Sequence, residues 1–586
     1  MSTVAESDKT EETSNSVDTE TKEECPEMKR LKPNYLSECF PITSLDNISE
    51  VIENPPRWVQ RVIPLQERSS TVVQNIISDC HCDLKKFTPK TRLDKRFVPK
   101  TLVCHDYKGG YLEDKYLSST NIGNLYSFYN WAHIDVFVYF SHHLITIPPL
   151  CWINAAHRNG VKILGTLITE FQPGTKICEK IFKDEDTMRI FATSLTKILE
   201  IFKFDGWLLN IENPLPDTEM LKKFVSYLSL STRSENPDNL IIWYDSIIET
   251  GELKWQNELN PLNKFFFDNC DGIFLNYVWN EENIQNTIEF AKHRTLDVYV
   301  GVDVFGRNTF GGGKFNTFKA AQVIRRHHLS MAIFAPGWTH ETLPINENRQ
   351  KFFEDFVNRD CAFWNSLWPY LYTHPITHFF KTSFFMGVTQ DVYNMFSQHQ
   401  QLSKIKHPRT LEWVPDYDKI PTLHNKCNCL QCAFTDKGVR CLVTKEFLNS
   451  SLCYLHRLFT CDILLSGTIT VYTLTKLVRN QPASLSLNLL TSDKNGTIKK
   501  IKCNSSVKEY LINNSTLLEV NPSINPSLIN HVVRSNEELF LHENLNISVY
   551  QFIVTPCTLL EIGCTLDEGK SIYLCGLGVE DRILSL

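Results

Sequence analysis

The sequence predicts an α/β protein built on a (β/α)8 TIM barrel and followed by one or two β-sandwich domains. Three observations carry that expectation. Eight strand-length apolar runs lie between about residues 100 and 340, each separated from the next by a polar or amphipathic stretch, and after about residue 375 the pattern changes to short alternating segments. Runs with room for a helix between them imply right-handed β-α-β crossovers in a parallel sheet, and eight such runs in about 250 residues is the size of a closed barrel. No Gly-rich phosphate fingerprint follows the first run, which argues against an open doubly wound sheet.

Taken in order, residues 1–34 are polar and acidic, too poor in apolar side chains to fold, and are expected to be a disordered tail. They lack the basic start and apolar stretch of a secretory signal. Residues 35–96 are expected to be an extension packing on the barrel, with Pro55-Pro56 marking a turn. The barrel is assigned to 97–375. Its eight runs are Thr101 to Tyr107, Ile134 to Ser141, Val161 to Glu170, Phe204 to Glu212, Leu240 to Ser246, Gly272 to Trp279, Val298 to Phe305 and Ser330 to Trp338. Residues 376–586 carry alternating stretches such as Thr468 to Leu474, Ser484 to Leu490 and Val549 to Val554, divided by turn residues, which read as the β-sandwich region.

Composition narrows the function class. A formal net charge of -7, with Lys and Arg dispersed, gives no basic field for nucleic acid. No uninterrupted run of 18 apolar residues supports a membrane span. The 19 cysteines show no regular framework spacing, which fits a reducing compartment, so a cytosolic monomer is expected and the sequons at Asn495 and Asn546 are expected to stay unglycosylated. Cys427, Cys429 and Cys432, with Cys441 and His456 downstream, lack the paired knuckles of a structural zinc site. No metal and no cofactor are expected.

Chemistry in this fold sits where strands end at the C-terminal face. The runs finish in polar or aromatic residues: His105 and Asp106, His142 and His143, Glu170, Asn210 and Glu212, Tyr244 and Asp245, Asn276 and Trp279, Asp303, and Trp338. Asn210 and Glu212 are two apart in one run, so their side chains leave the same face of a strand. Sugar hydrolases usually pair two carboxylates, but here the first position is an amide. An amide can hydrogen-bond a substrate 2-acetamido group and aim its carbonyl oxygen at the anomeric carbon, so that the substrate supplies the nucleophile. Glu212 would then protonate the leaving oxygen and later activate water. On spacing alone, an ion-paired Glu212 and a turn-capping Asn210 explain the pair equally well.

The segments VCHDYKGGYLEDKY, FVYFSHHLITIPP, FDGWLLNIENP, WYDSIIETGELKWQNELN, DGIFLNYVW and VGVDVFGR together resemble, in the same order, the cytosolic endo-β-N-acetylglucosaminidases of glycoside hydrolase family 85. The resemblance covers roughly residues 40–400. It implies cleavage of the β-1,4 bond between the two GlcNAc residues of an N-glycan core, by substrate-assisted retention, with an N-glycan or glycoprotein as the partner molecule. It also implies that Glu212 is the general acid/base, that Asn210 orients the acetamido group and that Tyr244 acts at the same group. Trp255 and Trp279 would line the acceptor and core-sugar region.

Glu170, Asp303 and Trp338 are further sugar-binding candidates from their places at run ends; His105, His142 and His143 are weaker ones. Two other readings compete. A carbohydrate-binding barrel that has lost catalysis would have no reason to keep Glu212, Asn210 and Tyr244 together. A chitinase-like hydrolase would normally carry an acid in place of Asn210.

Overall fold

The protein, as a computed structural model, is described for residues 38–76, 81–83, 87–112, 115, 126–344, 346, 348–384, 430–435, 438–444, 454–504, 517–540, 544–566 and 570–581. Eight parallel strands form the barrel: β1 (Thr101–Asp106), β2 (Val136–Phe140), β3 (Lys162–Glu170), β4 (Gly206–Glu212), β5 (Leu240–Tyr244), β6 (Gly272–Leu275), β7 (Val298–Asp303) and β8 (Ser330–Phe334). Each pairs with the next, and β8 pairs with β1 to close the ring. The short strand Ile145–Thr146 adds antiparallel to β3.

These strands are near-continuous apolar runs because both faces are covered. Inward side chains form one cluster, including Leu102, Val138, Leu164, Leu208, Ile242, Phe274, Tyr299 and Ala332. Alternate residues such as Val103, Phe137, Ile163, Trp207, Trp243 and Ile333 face outward under the helices. Trp243, for example, stacks on Phe266 of the helix Lys264–Asn269 at 4.1 Å between ring centroids. Gly206 opens β4 at φ +149°, where a Cβ would collide with the Leu240 carbonyl of β5, so only glycine lets those two strands start in register.

The crossover helices are set by local signals. Glu185–Phe202 starts on Asp184, whose carboxylate accepts from Thr187 N at 2.8 Å, and stops at Lys203 in a left-handed conformation. Glu281–Ala291 starts with a capping box on Asn280 and Asn283.

Every described strand after residue 376 lies in one ten-stranded sheet, dominated by the long antiparallel pair Tyr454–Leu477 and Asn546–Leu566. Apart from Ser484, the alternating stretches read from the sequence fall inside its strands. Its tenth strand comes from the other end of the chain: His81–Asp83 pairs with Tyr454 to His456. A separate three-stranded sheet joins Thr71–Gln74 to Arg92–Asp94 and Tyr372–Thr373. The extension therefore ties the barrel to the C-terminal sheet, a role the sequence did not reveal.

The tie includes a buried ion pair. Arg457 and Glu561 face each other with side chains 8% and 3% exposed, while Glu561 also accepts from Lys90 N at 2.6 Å and Arg457 Nη2 donates to the Thr88 carbonyl at 2.9 Å. Removing one partner would strand a buried charge. Arg457→Met is therefore expected to destabilise the chain by about 3–5 kcal/mol, read by denaturant unfolding.

Among the described residues no helix is long and apolar enough to cross a membrane, and no group of three or more His, Cys, Asp or Glu could hold a metal ion. Cys427 and Cys429 lie outside the described residues; Cys432 and Cys441 stand opposite each other in an antiparallel strand pair.

Candidate active site

A cavity of about 180 Å3 opens at the C-terminal end of the barrel. Its walls are inward residues near the ends of seven of the eight strands, Cys104 and Asp106, Phe140, Ile168 and Glu170, Leu208, Asn210 and Glu212, Tyr244, Phe274 and Phe334, with His142 just beyond β2. Tyr277 and Arg307 complete it from the loops after β6 and β7. On β4 the inward parity that buries Leu208 carries on to Asn210 and Glu212, so the period-2 reading of this pair holds in three dimensions.

Glu212 is half-buried, and its pKa is raised by burial and then by the neighbouring Glu170 carboxylate, with the Asn210 amide and His142 acting in the opposite direction. Glu170 sits directly beside Glu212 in the β3–β4 register. It is already engaged. His142 Nδ1 lies 3.0 Å from Glu170 Oε1, and its Nε2 lies 3.9 Å from Asp106 Oδ2. Those two carboxylates, Asp106 foremost, push the His142 pKa up to about 9, so the ring is an imidazolium at neutral pH.

Asn210 is 4% exposed, hydrogen-bonds Glu212 through its amide, and leaves Oδ1 buried without a hydrogen-bond partner among the described residues. A buried acceptor left unpaired is costly, and this one is available to a donor that enters the cavity. Tyr244 donates its hydroxyl to Asn276 Oδ1 at 3.1 Å, while burial and then Glu212 raise its pKa well above the usual tyrosine value.

The loop ends next to these residues are also braced. Phe171, directly after Glu170, has φ +54°, a strained conformation for an aromatic residue; Asn213, directly after Glu212, holds it by donating Nδ2 to the Phe171 carbonyl at 2.7 Å.

The structure does not bring every candidate to the cavity. Trp279 is 4% exposed, stacks on Phe310 at 4.9 Å and donates Nε1 to the Gly301 carbonyl, so its faces are not open to a sugar. Trp338 is 6% exposed beneath the Arg359 guanidinium, 4.0 Å from its ring centroid. Asp303 is fully buried and spends its carboxylate on Phe305 N and on the backbone and guanidinium of Arg307. None of these three lines the cavity. In each the side chain found a closer partner than solvent.

Trp255 is 45% exposed, on the loop after β5, but does not line the cavity. That loop is organised by fully buried Asp245, which accepts from Gln256 N, Asn257 N and Asn263 Nδ2, and whose pKa burial pushes up to about 6 against those donors. His105 points outward into a cluster of rings including Trp152 at 4.6 Å and Tyr126 at 5.2 Å. Arg307 and Tyr277 were missed as site residues, although each lies within a segment singled out from the sequence; nothing local distinguishes a loop Arg or Tyr that turns back over the barrel mouth.

A larger cavity, about 450 Å3, lies at the opposite end of the barrel beneath Val62 to Leu65, where His157 Nε2 meets Asp205 Oδ2 at 3.0 Å. That is the end of this fold that serves stability rather than chemistry.

Residues 111–392 match the model described as glycosyl hydrolase family 85. The matched segment is therefore similar to glycosyl hydrolase family 85. Proteins named cytosolic endo-beta-N-acetylglucosaminidase are similar to it: 46% identical over 322 residues in Mus musculus, covering 54% of this chain and 42% of that one, and 49% identical over 294 residues in Gallus gallus, covering 50% and 39%. The chain thus spans about two fifths of the length of the curated relatives it matches. A solved structure, the glycoside hydrolase domain of Endo-D from Streptococcus pneumoniae R6, superposes with a TM-score of 0.65 at 15% identity, covering 94% of this chain and 84% of that one, and shares its fold.

Proposed function

We propose that this chain is a family 85 endo-β-N-acetylglucosaminidase. It hydrolyses the β-1,4 bond between the two GlcNAc residues of an N-glycan core, on glycoproteins and free oligosaccharides, and retains configuration through an oxazolinium intermediate. The observation that carries the reading is the division of labour in the cavity. Three carboxylates line it, but Glu170 and Asp106 flank the His142 imidazolium, leaving Glu212 as the one placed for proton transfer, beside an amide with an unpaired acceptor.

A two-carboxylate mechanism needs a second free carboxylate as nucleophile or base. Substrate assistance does not. The Glu212 acid protonates the glycosidic oxygen as the acetamido carbonyl oxygen of the same sugar attacks C1 and the C1–O bond breaks. Asn210 Oδ1 accepts the acetamido N–H, whose proton grows more acidic as the oxazolinium forms. The Glu212 carboxylate then takes a proton from water attacking C1, which reopens the ring and restores the acid. At about 180 Å3 the cavity is small against the roughly 300–1,000 Å3 of drug-sized sites, so it suits one sugar ring, with the rest of the glycan on the loops.

The relatives' names support a cytosolic place of action, and the enzyme is taken to act as a monomer. The deciding experiment is incubation with a Man9GlcNAc2-Asn glycopeptide. One GlcNAc should remain on the Asn, read by mass. An unchanged glycopeptide, or cleavage at the Asn amide, would sink the proposal.

The pH dependence follows from the cavity charges. Glu212 reacts first as the acid, so kcat/KM falls as pH rises through its pKa, and raising that pKa extends activity upward. Glu170→Gln leaves burial raising the pKa but removes the charge that adds to it, while the Asn210 amide and His142 still lower it. The alkaline limb of the profile is therefore expected to move to lower pH; an unmoved limb would mean that Glu212 is not the group titrating.

A further inference from the structure

We propose that Asn276 is a positioning residue for Tyr244: it holds the phenolic proton away from the cavity, so that the tyrosine oxygen turns its lone pairs toward the reacting sugar. This deepens the endoglycosidase reading and rests on it. Tyr244 donates to Asn276 Oδ1 at 3.1 Å. The direction of that bond is fixed from behind, because Asn276 Nδ2 donates to Asn257 Oδ1 at 2.8 Å, and the same oxygen accepts from Val278 N at 3.1 Å. Turning the Asn276 amide over would set two acceptor oxygens against each other; turning Asn257 over would set its NH2 against two donors.

Asn257 is itself fixed. It stands at φ +58°, and its backbone N donates to Asp245 Oδ2 at 2.8 Å, the carboxylate of the residue that follows Tyr244 in the chain. The ring Tyr244, Asp245, Asn257, Asn276 therefore closes with one polarity. Nothing in it is left to rotate.

That polarity has a chemical consequence. Positive charge develops on the sugar ring and then on the oxazolinium, and the acetamido oxygen needs its own lone pair for the attack on C1. A hydroxyl donating into the cavity would turn its positive end toward that cation, whereas one donating to Asn276 turns its lone pairs toward it. Without its acceptor, the hydroxyl is free to turn its proton inward.

The test combines a double-mutant cycle with a probe that needs no turnover. For Asn276→Leu, Tyr244→Phe and the double variant, kcat and KM are measured on a GlcNAc2-core glycopeptide. Asn276→Leu is expected to lower kcat about 10- to 100-fold with KM nearly unchanged, and the double variant to be no slower than Tyr244→Phe, since both act through one hydroxyl. If the two losses multiply, or Asn276→Leu keeps the wild-type kcat, the proposal is overturned.

The second arm labels the protein with 13Cζ-tyrosine and assigns Tyr244 as the resonance absent from Tyr244→Phe. Asn276→Leu should move that resonance upfield as the phenol stops donating to the amide oxygen, while the other tyrosine signals stay in place and report a folded protein. A resonance that does not move refutes the hydrogen bond whatever the substrate proves to be. A wild-type protein that cleaves no GlcNAc–GlcNAc bond while the resonance does move refutes the proposed function and, with it, the catalytic use of Asn276, and leaves the positioning standing.

Discussion

Glu212→Gln is expected to lower kcat/KM on an N-glycan core by about 10²–10⁴-fold, the range attributed to general acid–base catalysis, while glycan binding measured by calorimetry changes little. Glutamine keeps the size of the side chain and its contact with Asn210, so the loss reports the missing proton and not a collapsed cavity. Leaving-group dependence gives the sharper check. A chitobiose derivative with a nitrophenolate leaving group departs without being protonated, so its kcat/KM, which reports the first bond cleavage, should fall far less than that of the natural sugar leaving group. Equal losses on both would give Glu212 another role. The expectation rests on the raised Glu212 pKa and on the engagement of Glu170 and Asp106 with His142, which leaves no free carboxylate lining the cavity to take over.

Asn210→Ala is the second large effect, with kcat expected to fall by about 10²–10³-fold, comparable to losing one preorganised hydrogen-bonding group at a reacting centre. Asn210 Oδ1 is buried and unpaired in the free protein, so it neither trades away an existing bond nor moves far to meet an acetamido N–H. Asn210→Asp is expected to be nearly as damaging. It keeps an acceptor but places a second negative charge beside Glu212, and it loses the amide that contacts Glu212. The matching substrate experiment removes the acetyl group: a core carrying glucosamine in place of the reacting GlcNAc should not be cleaved by the wild type. Cleavage of that substrate, or wild-type turnover by Asn210→Ala, would end the substrate-assisted mechanism.

The barrel was legible in the sequence because a strand covered on both faces must be apolar along most of its length, and β1 to β8 fall within the eight runs. The inward set at the strand ends was legible for the same reason: strand side chains alternate, so Leu208 facing the core commits Asn210 and Glu212 to the mouth. Trp279 and Trp338 lie beyond the last residues of β6 and β8 and Asp303 is the last residue of β7, and none of the three lines the cavity. At those ends parity stops governing direction, and a side chain settles on whatever the loop brings: Phe310, Arg359 or the Arg307 turn.

The contribution of His81 to Asp83 to the C-terminal sheet was illegible for a related reason, since a three-residue strand carries no periodicity. What the sequence by itself determined is therefore the set of barrel strands, the face each presents, and the amide–carboxylate pair at the barrel mouth on which the proposed acetamido chemistry rests. Only the tertiary structure decided which of those groups are free to act. That Glu170 is held by His142, that Asn210 keeps an unpaired oxygen and that Tyr244 gives its proton to Asn276 are contacts between residues 28 to 32 apart or longer, or the lack of any. A hydrogen-bond partner is fixed by position in space, which short-range periodicity does not encode.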